Sequence, residues 1–208
     1  MDKPLNSLQP RYDVTGRYTA LLQAGEVLLC KGYDSAQPQQ IAKTAGVSTG
    51  LFYRHFKNKQ ELLTAIMVRH LGILHDQIKQ ALEPYADPVE DLRQVMELTL
   101  RYFQAHEGLI KLFFMQVGYG DAIASEHLQA ARQTYRDILA SIIQAGIAKG
   151  IFIAMDDFDV QLAINGFIGT INWSLYDLLI VKQERIELDA LANRLSMFLL
   201  RGLGHALG

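Results

Sequence analysis

The sequence predicts an all-α protein of about nine helices, and three observations carry that expectation. Apolar residues recur at spacings of three and four along most of the 208 residues. Sustained alternation of apolar and polar residues, which marks a half-buried strand, is absent. Gly32, Pro38, Pro84, Pro88 and Gly150 fall at the ends of periodic stretches, where they stop or start helices.

Residues 1–14 read as a flexible tail. The first helix is expected from about Thr15 to Lys31, with Tyr18, Leu21, Leu22, Leu28 and Leu29 turned inward and Gly32 ending it. Two short helices follow, Pro38 to Ala45 and Ser48 to His55. The fourth, Lys59 to about Glu83, starts on a capping box: Asn58 caps it, and Glu61 reaches back to the cap's backbone amide. Pro84 marks its end. The fifth runs from Pro88 to about His106 and turns Leu92, Val95, Met96, Leu98, Thr99 and Phe103 to one side. GLIKLFFMQVGYG, a very apolar stretch bracketed by glycines, forms the sixth. The seventh extends from about Ile123 to Lys149, before Gly150. The eighth lies in DDFDVQLAINGFIGTINWSLYDLLIV. Three acids in its first turn suit the helix dipole, and it is apolar almost all round, the profile of a helix buried on several sides. The last, from about Leu188 to Leu203, carries the stripe Leu188, Leu191, Leu195, Phe198 and Leu199.

Composition narrows the function classes. One cysteine, Cys30, excludes a disulfide within the chain and reads as a small buried hydrophobe in EVLLCKG. No basic-then-apolar leader and no run of about 18 apolar residues is present, so a cytoplasmic protein is expected. The net charge of −2 hides an asymmetry: residues 1–60 hold eight Lys or Arg against four Asp or Glu, and residues 61–208 hold twelve against eighteen. A basic head suits a polyanion partner. His55, His70, His75, His106, His127 and His205 show no metal-ligand spacing, no phosphate loop is present, and Asp156-Asp157 reads as a helix start. No metal, no cofactor and no enzymatic activity are therefore expected.

Gly46-Val47-Ser48-Thr49-Gly50 fits the G-x-S-x-G pattern of a hydrolase nucleophile elbow. An elbow needs a buried strand before the serine and a parallel sheet around it. PQQIAKTA instead places Ile41, Ala42 and Ala45 on one side of a helix and Gln39, Gln40, Lys43 and Thr44 on the other. Helix, glycine corner, helix is a helix-turn-helix. Gly46 frees the backbone, Val47 plugs the corner and Ser48 caps the second helix. That helix offers Thr49, Gly50 and Leu51 at its start, then Tyr53, Arg54 and His55, with Lys57 and Lys59 beyond. A helix in the major groove reads bases with its first residues and grips phosphates with flanking hydroxyls and cations.

The stretch IAKTAGVSTGLFYRHFKNKQELL resembles the DNA-binding signature of the TetR family (TetR/AcrR type) of bacterial transcriptional regulators. The matched positions are Ile41-Ala42, Ala45-Gly46-Val47-Ser48, Tyr53-Arg54-His55-Phe56, Lys59 and Leu62. The resemblance implies that Ser48, Thr49 and Gly50 face the groove, that Tyr53 and His55 bond phosphates, that Lys59 approaches the DNA backbone, and that Phe56 packs inside. Where the family often has paired threonines before the first motif helix, this chain has Ala36-Gln37-Pro38-Gln39, leaving Gln39 and Gln40 to reach DNA by neutral hydrogen bonds. The resemblance further implies a helix-turn-helix domain over 15–60 and a regulatory, ligand-binding and dimerisation domain over 61–208, whose last two helices form a four-helix bundle in a homodimer. Ile168, Ile171, Leu175, Leu195, Phe198 and Leu199 are the candidate interface, with Gly166 and Gly169 allowing close approach. Two heads per assembly imply a near-palindromic double-stranded operator.

The middle helices are rich in bulky apolar residues with polar groups among them, as a cavity for a small hydrophobic effector requires. The candidates are Phe103, His106, Phe113, Phe114, Gln116, Tyr135, Asn165, Phe167, Asn172 and Trp173. YRDILASIIQAGIAKGIF and VQLAINGFIGTINWSLYDLL resemble acyl-CoA-responsive members of the family. The expected function is a repressor released from its operator by the effector, with corepression as the opposite sign. The alternative is an all-helical small-molecule or lipid carrier, or an enzyme, using the central cavity.

Overall fold

The computed structural model describes residues 16–82, 87–118, 126–183 and 187–204, with the side chains of 115–118 outside the description. The expected tail 1–14 and the expected helix ends at Thr15, Glu83, Gly120 and Ile123 lie outside the described residues. Among the described residues there are nine α-helices and no strand. They are α1 (Arg17–Lys31), α2 (Pro38–Thr44), α3 (Thr49–His55), α4 (Lys59–Ala81), α5 (Pro88–Ala105), α6 (Glu107–Gly118), α7 (Glu126–Ala148), α8 (Asp157–Leu175) and α9 (Leu188–Gly202). A π-helical segment, Tyr176–Lys182, continues α8. The chain divides into two compact units, one of Met1–Gly72 with Lys111–Ala131, the other of Ile73–Ile110 with Arg132–Gly208.

In the first unit, Leu21, Leu22 and Leu29 of α1, Ile41 and Ala42 of α2, Phe52 of α3, Phe56, and Leu62, Leu63, Ile66 and Met67 of α4 are buried. Leu28, expected inward, is only half-buried. Helices α1 and α4 approach closely at Gly25, where an added Cβ would lie 2.6 Å from Leu62 Cδ2. Beside that contact His70 Nε2 of α4 lies 2.9 Å from Glu26 Oε2 of α1.

The corner between α2 and α3 is a Schellman turn. The Val47 N–H donates to the Ala42 carbonyl at 3.0 Å and the Gly46 N–H to the Lys43 carbonyl at 3.1 Å. Closing both bonds requires Gly46 at φ +70°, in the left-handed region. Ser48 Oγ then accepts the Leu51 N–H at 3.2 Å and caps α3. The start of α4 differs from expectation in one bond. Asn58 Oδ1 accepts the Glu61 N–H at 2.8 Å, but Glu61 Oε2 accepts the N–H of Lys57, one residue before the cap, at 2.6 Å. Gln37 precedes α2 without a side-chain cap; its amide instead donates to the Asp34 carbonyl at 3.4 Å.

In the second unit α5 packs against both α8 and α9, which also touch each other. Leu92, Val95, Met96, Leu100 and Phe103 supply the buried face of α5. Asp156 Oδ1 accepts the Asp159 N–H at 2.8 Å and caps α8, so this acidic pair is a helix start. Gly146 permits the tightest contact: a Cβ there would overlap the buried Phe152 ring. His75 is 1% exposed, stacks on Tyr135 with ring centroids 5.9 Å apart, and has no hydrogen-bond partner for either ring nitrogen among the described residues. Burial, helped by nearby Lys79 and opposed by Asp76, pushes its pKa down to about 4, so the ring is neutral near pH 7.

The Gly46→Ala substitution is expected to destabilise the chain by about 1 kcal/mol, measured by urea unfolding, because no atom crowds the new Cβ and only the left-handed backbone penalises it. His75 sets a pH dependence. Below pH ~6.5 the unfolded imidazole takes up a proton that the folded one refuses until about pH 4, so acidification favours unfolding across that window. His75→Phe is expected to lose about 2 kcal/mol less than the parent between pH 6.5 and 5, read from paired denaturant melts.

Candidate nucleic-acid interface

Around the Gly46 corner the residues expected to meet DNA come together on neighbouring short elements. Gln39, Gln40, Ser48, Gly50, Tyr53, Arg54 and Lys57 are exposed; Thr49, Leu51, His55 and Lys59 are half-buried. Tyr53, 50% exposed, rests its ring edge on Phe52 at 5.3 Å, and Phe52 is fully buried. The ring is thus braced by a buried neighbour while half of the residue stays open to solvent. His55 meets Tyr18 of α1 edge-on at 5.5 Å, and Tyr18 stacks on Phe56 at 5.3 Å, so α1 fixes the far end of α3. Ser48 uses an oxygen lone pair as the helix cap and keeps its O–H for another acceptor.

Lys59 departs from its expected role. Its Nζ donates to the Tyr33 carbonyl at 2.8 Å and the Asp34 carbonyl at 3.3 Å, and lies 4.4 Å from the Tyr33 ring centre. The ammonium is held inside the first unit, where it ties the loop after α1 to the start of α4. One of its three N–H groups remains for a phosphate.

The candidate effector residues fall in both units. Phe113, Phe114 and Gln116 belong to the first unit and the others to the second, and the Gln116 side chain lies outside the described residues. Phe113, Phe114 and Asn172 are half-buried. Phe103, Tyr135 and Phe167 are buried. Half-buried His106 stacks on Tyr102 at 4.5 Å, and its Nδ1 lies 2.8 Å from the Tyr102 carbonyl oxygen. Two assignments are corrected. Trp173 is 65% exposed, and Asn165 is exposed and accepts from Arg136 Nη1 at 2.7 Å. Both sit on the outward side of α8, and neither lines an interior.

Two of the six interface expectations are corrected in the same way. Ile171 and Leu175 are each 1% exposed, because they face the core of their own chain. Ile168, Leu195 and Leu199 are half-buried, and Phe198 is open. The outward face of α8 is instead made by Phe158, Leu162, Gly166, Gly169 and Trp173, at successive spacings of four, four, three and four, with Met197 and Phe198 exposed on α9. That spacing was available in the sequence. Within one chain, the all-round apolar character of α8 therefore means one face in the core and one face open. His75 was also missed, although it interrupts an otherwise apolar stripe of Leu71, Leu74 and Ile78.

Residues 21–66 match the family model of bacterial regulatory proteins of the tetR family, and residues 85–176 match the tetracyclin repressor-like C-terminal domain. The fatty acid metabolism regulator protein of Bacillus subtilis (strain 168) is 24% identical over 188 residues, covering 90% of this chain and 95% of the relative. The solved fatty acid degradation regulator FadR from Bacillus halodurans superposes with a TM-score of 0.77 at 24% identity, over 91% of this chain and 97% of that one. FadR from Bacillus subtilis, solved in complex with stearoyl-CoA, gives a TM-score of 0.74 at 23% identity, over 89% and 98%. No described helix is long and apolar enough to cross a membrane. With both of its parts matched and a helix-turn-helix at the expected place, the chain belongs to the TetR family, as a DNA-binding transcription regulator and not an enzyme.

Proposed function

We propose that this chain is a dimeric repressor of the bacterial cytoplasm that holds a near-palindromic operator and releases it when a long-chain acyl-CoA occupies its regulatory part. The observation that carries the DNA half of this reading is the exposed edge of α3, with Gly50, Tyr53 and Arg54 open and half-buried Thr49 beside them, presented by the Gly46 corner. Thr49 and Gly50 read base edges, while Tyr53, Arg54, His55, Lys57 and the Ser48 hydroxyl grip phosphates. A lipid carrier would leave that edge without a role. Support for the effector class comes from the stearoyl-CoA bound by the Bacillus subtilis relative. Functionally the head comprises residues 15–60 and the regulatory part 61–208, and the unbroken helix α4 is the element on which the effector acts.

The dimer follows from α8. Phe158, Leu162 and Trp173 are 75%, 58% and 65% exposed along one side of a single helix, around two glycines with open space above them. A second copy of the same face covers them, which is the isologous contact of a two-fold dimer.

Gel-shift titration against DNA upstream of the protein's own coding sequence is expected to show a discrete complex that stearoyl-CoA dissolves. Affinity should drop more than tenfold between 50 and 200 mM salt, since phosphate contacts dominate. Tyr53→Phe should weaken every duplex by about fivefold, the value of one hydrogen bond, whereas Thr49→Ala should alter the ranking among sequences. Retardation without any sequence preference at low salt would favour the carrier. Leu162→Arg is expected to give a folded monomer by light scattering, while Ile171→Arg, aimed at the core, should unfold the chain; a dimer that survives Leu162→Arg removes this face from the interface.

A further inference from the structure

His75 sits at the meeting of three helices in the second unit. Its ring stacks on Tyr135 of α7, and the Tyr135 hydroxyl is 2.8 Å from Thr99 Oγ1 of α5. Thr99 Oγ1 donates its one proton to the Val95 carbonyl at 2.8 Å. The Tyr135 hydroxyl must therefore donate to Thr99, and that pair is satisfied. The imidazole is not: it is 1% exposed, and neither nitrogen has a partner among the described residues. Leaving such a group dry is costly, and an apolar ring of similar shape would fill the space without that cost. A histidine here is thus matched to something that supplies a hydrogen bond.

The surroundings state what that is. The neutral imidazole offers one N–H and one lone pair. Neighbouring positions on the three helices are apolar and buried: Leu74, Ile78, Met96, Phe103 and Leu139. Lys79 and Asp76 lie near enough to act on the ring with opposite sign, and Arg132 stands one turn before Tyr135 on α7. Burial still keeps the imidazole neutral, which suits an uncharged carbonyl flanked by hydrocarbon better than an anion that would call for a protonated ring. Resting on the acyl-CoA reading above, we propose that His75 donates its ring N–H to the thioester carbonyl oxygen of the acyl effector, with the Tyr135 ring holding the imidazole in place.

The test uses the full-length protein, stripped of bound lipid, and two probes: stearoyl-CoA and S-octadecyl-CoA, the thioether that lacks only the carbonyl. Calorimetry on the parent and on His75→Phe is expected to show about a tenfold loss of stearoyl-CoA affinity in the variant and no comparable loss for the thioether, with the melting temperature at pH 7 retained or raised. Equal affinities of parent and variant for stearoyl-CoA, or equal losses for both probes, would overturn the carbonyl contact and mark His75 as satisfied by water alone. Should His75→Phe not fold, the imidazole ¹⁵N resonances of the parent decide: a shift at His75 on saturation with stearoyl-CoA that the thioether does not reproduce supports the contact, and unmoved resonances refute it. A parent that binds neither probe defeats the acyl-CoA reading itself, and the contact with it.

Discussion

A single backbone requirement, left-handed geometry at Gly46, underlies the DNA-facing part of this molecule. Helices α2 and α3 have seven residues each, too short to persist alone in water. They exist because Ile41, Ala42, Phe52 and Phe56 are buried and because the chain turns between them at the one angle that lets all four be buried together. The Schellman bonds satisfy the last carbonyls of α2, and the Ser48 cap satisfies a first amide of α3 within two residues. The exposed edge of α3 is then a consequence: with Phe52 inward, Tyr53 and Arg54 must face out. Lys59 extends the same economy. Two of its three donors tether the loop at Tyr33 and Asp34, which fixes the scaffold at the start of α4.

The second unit solves a different problem with α8. A helix apolar on every side has no stable place at the surface of a monomer, and here only Val160, Ile164, Phe167, Ile171 and Leu175 are buried by the chain itself. Arg136 braces the border of the open side, donating to Gln161 and Asn165 at 2.7 Å each. Those bonds keep α8 seated on α7 while Phe158, Leu162 and Trp173 remain uncovered. Gly166 and Gly169, in the middle of the open face, expose bare backbone, which allows an opposing helix to approach more closely than side chains of ordinary size permit.

Legibility followed the range of the physics. Helix existence, the Gly46 corner, the Ser48 cap and the acidic start of α8 depend on residues within about four positions of one another, and the sequence displays them directly. Which side of a two-sided apolar helix faces home does not. Ile171 and Trp173 look equally suited to an interface, and only packing against α5 and α9 decides that Ile171 is core. The same holds for Lys59, whose partners Tyr33 and Asp34 are 26 and 25 residues away. The effector candidates were the least legible, because bulky apolar residues with scattered polar groups describe any helical core. His75 differs from those residues in having its hydrogen-bonding capacity unmet, a property of the three-dimensional surroundings that no spacing rule detects.

Release of DNA by an effector needs more than tight binding. A ligand shifts a two-state equilibrium only by its differential affinity for the two states, so a hundredfold drop in operator affinity requires about 3 kcal/mol of difference, however strong the ligand's total interaction. An acyl chain supplies large but undirected apolar burial, which tends to be similar in any arrangement that keeps the chain dry. A hydrogen bond to one buried imidazole is directional and is lost over a fraction of an ångström. Helix α4, which carries His75, also carries Leu62 and Ile66 against Gly25 of α1. On the proposed reading, the acyl chain sets how tightly the effector holds, and the directional bond to His75 sets which arrangement it favours.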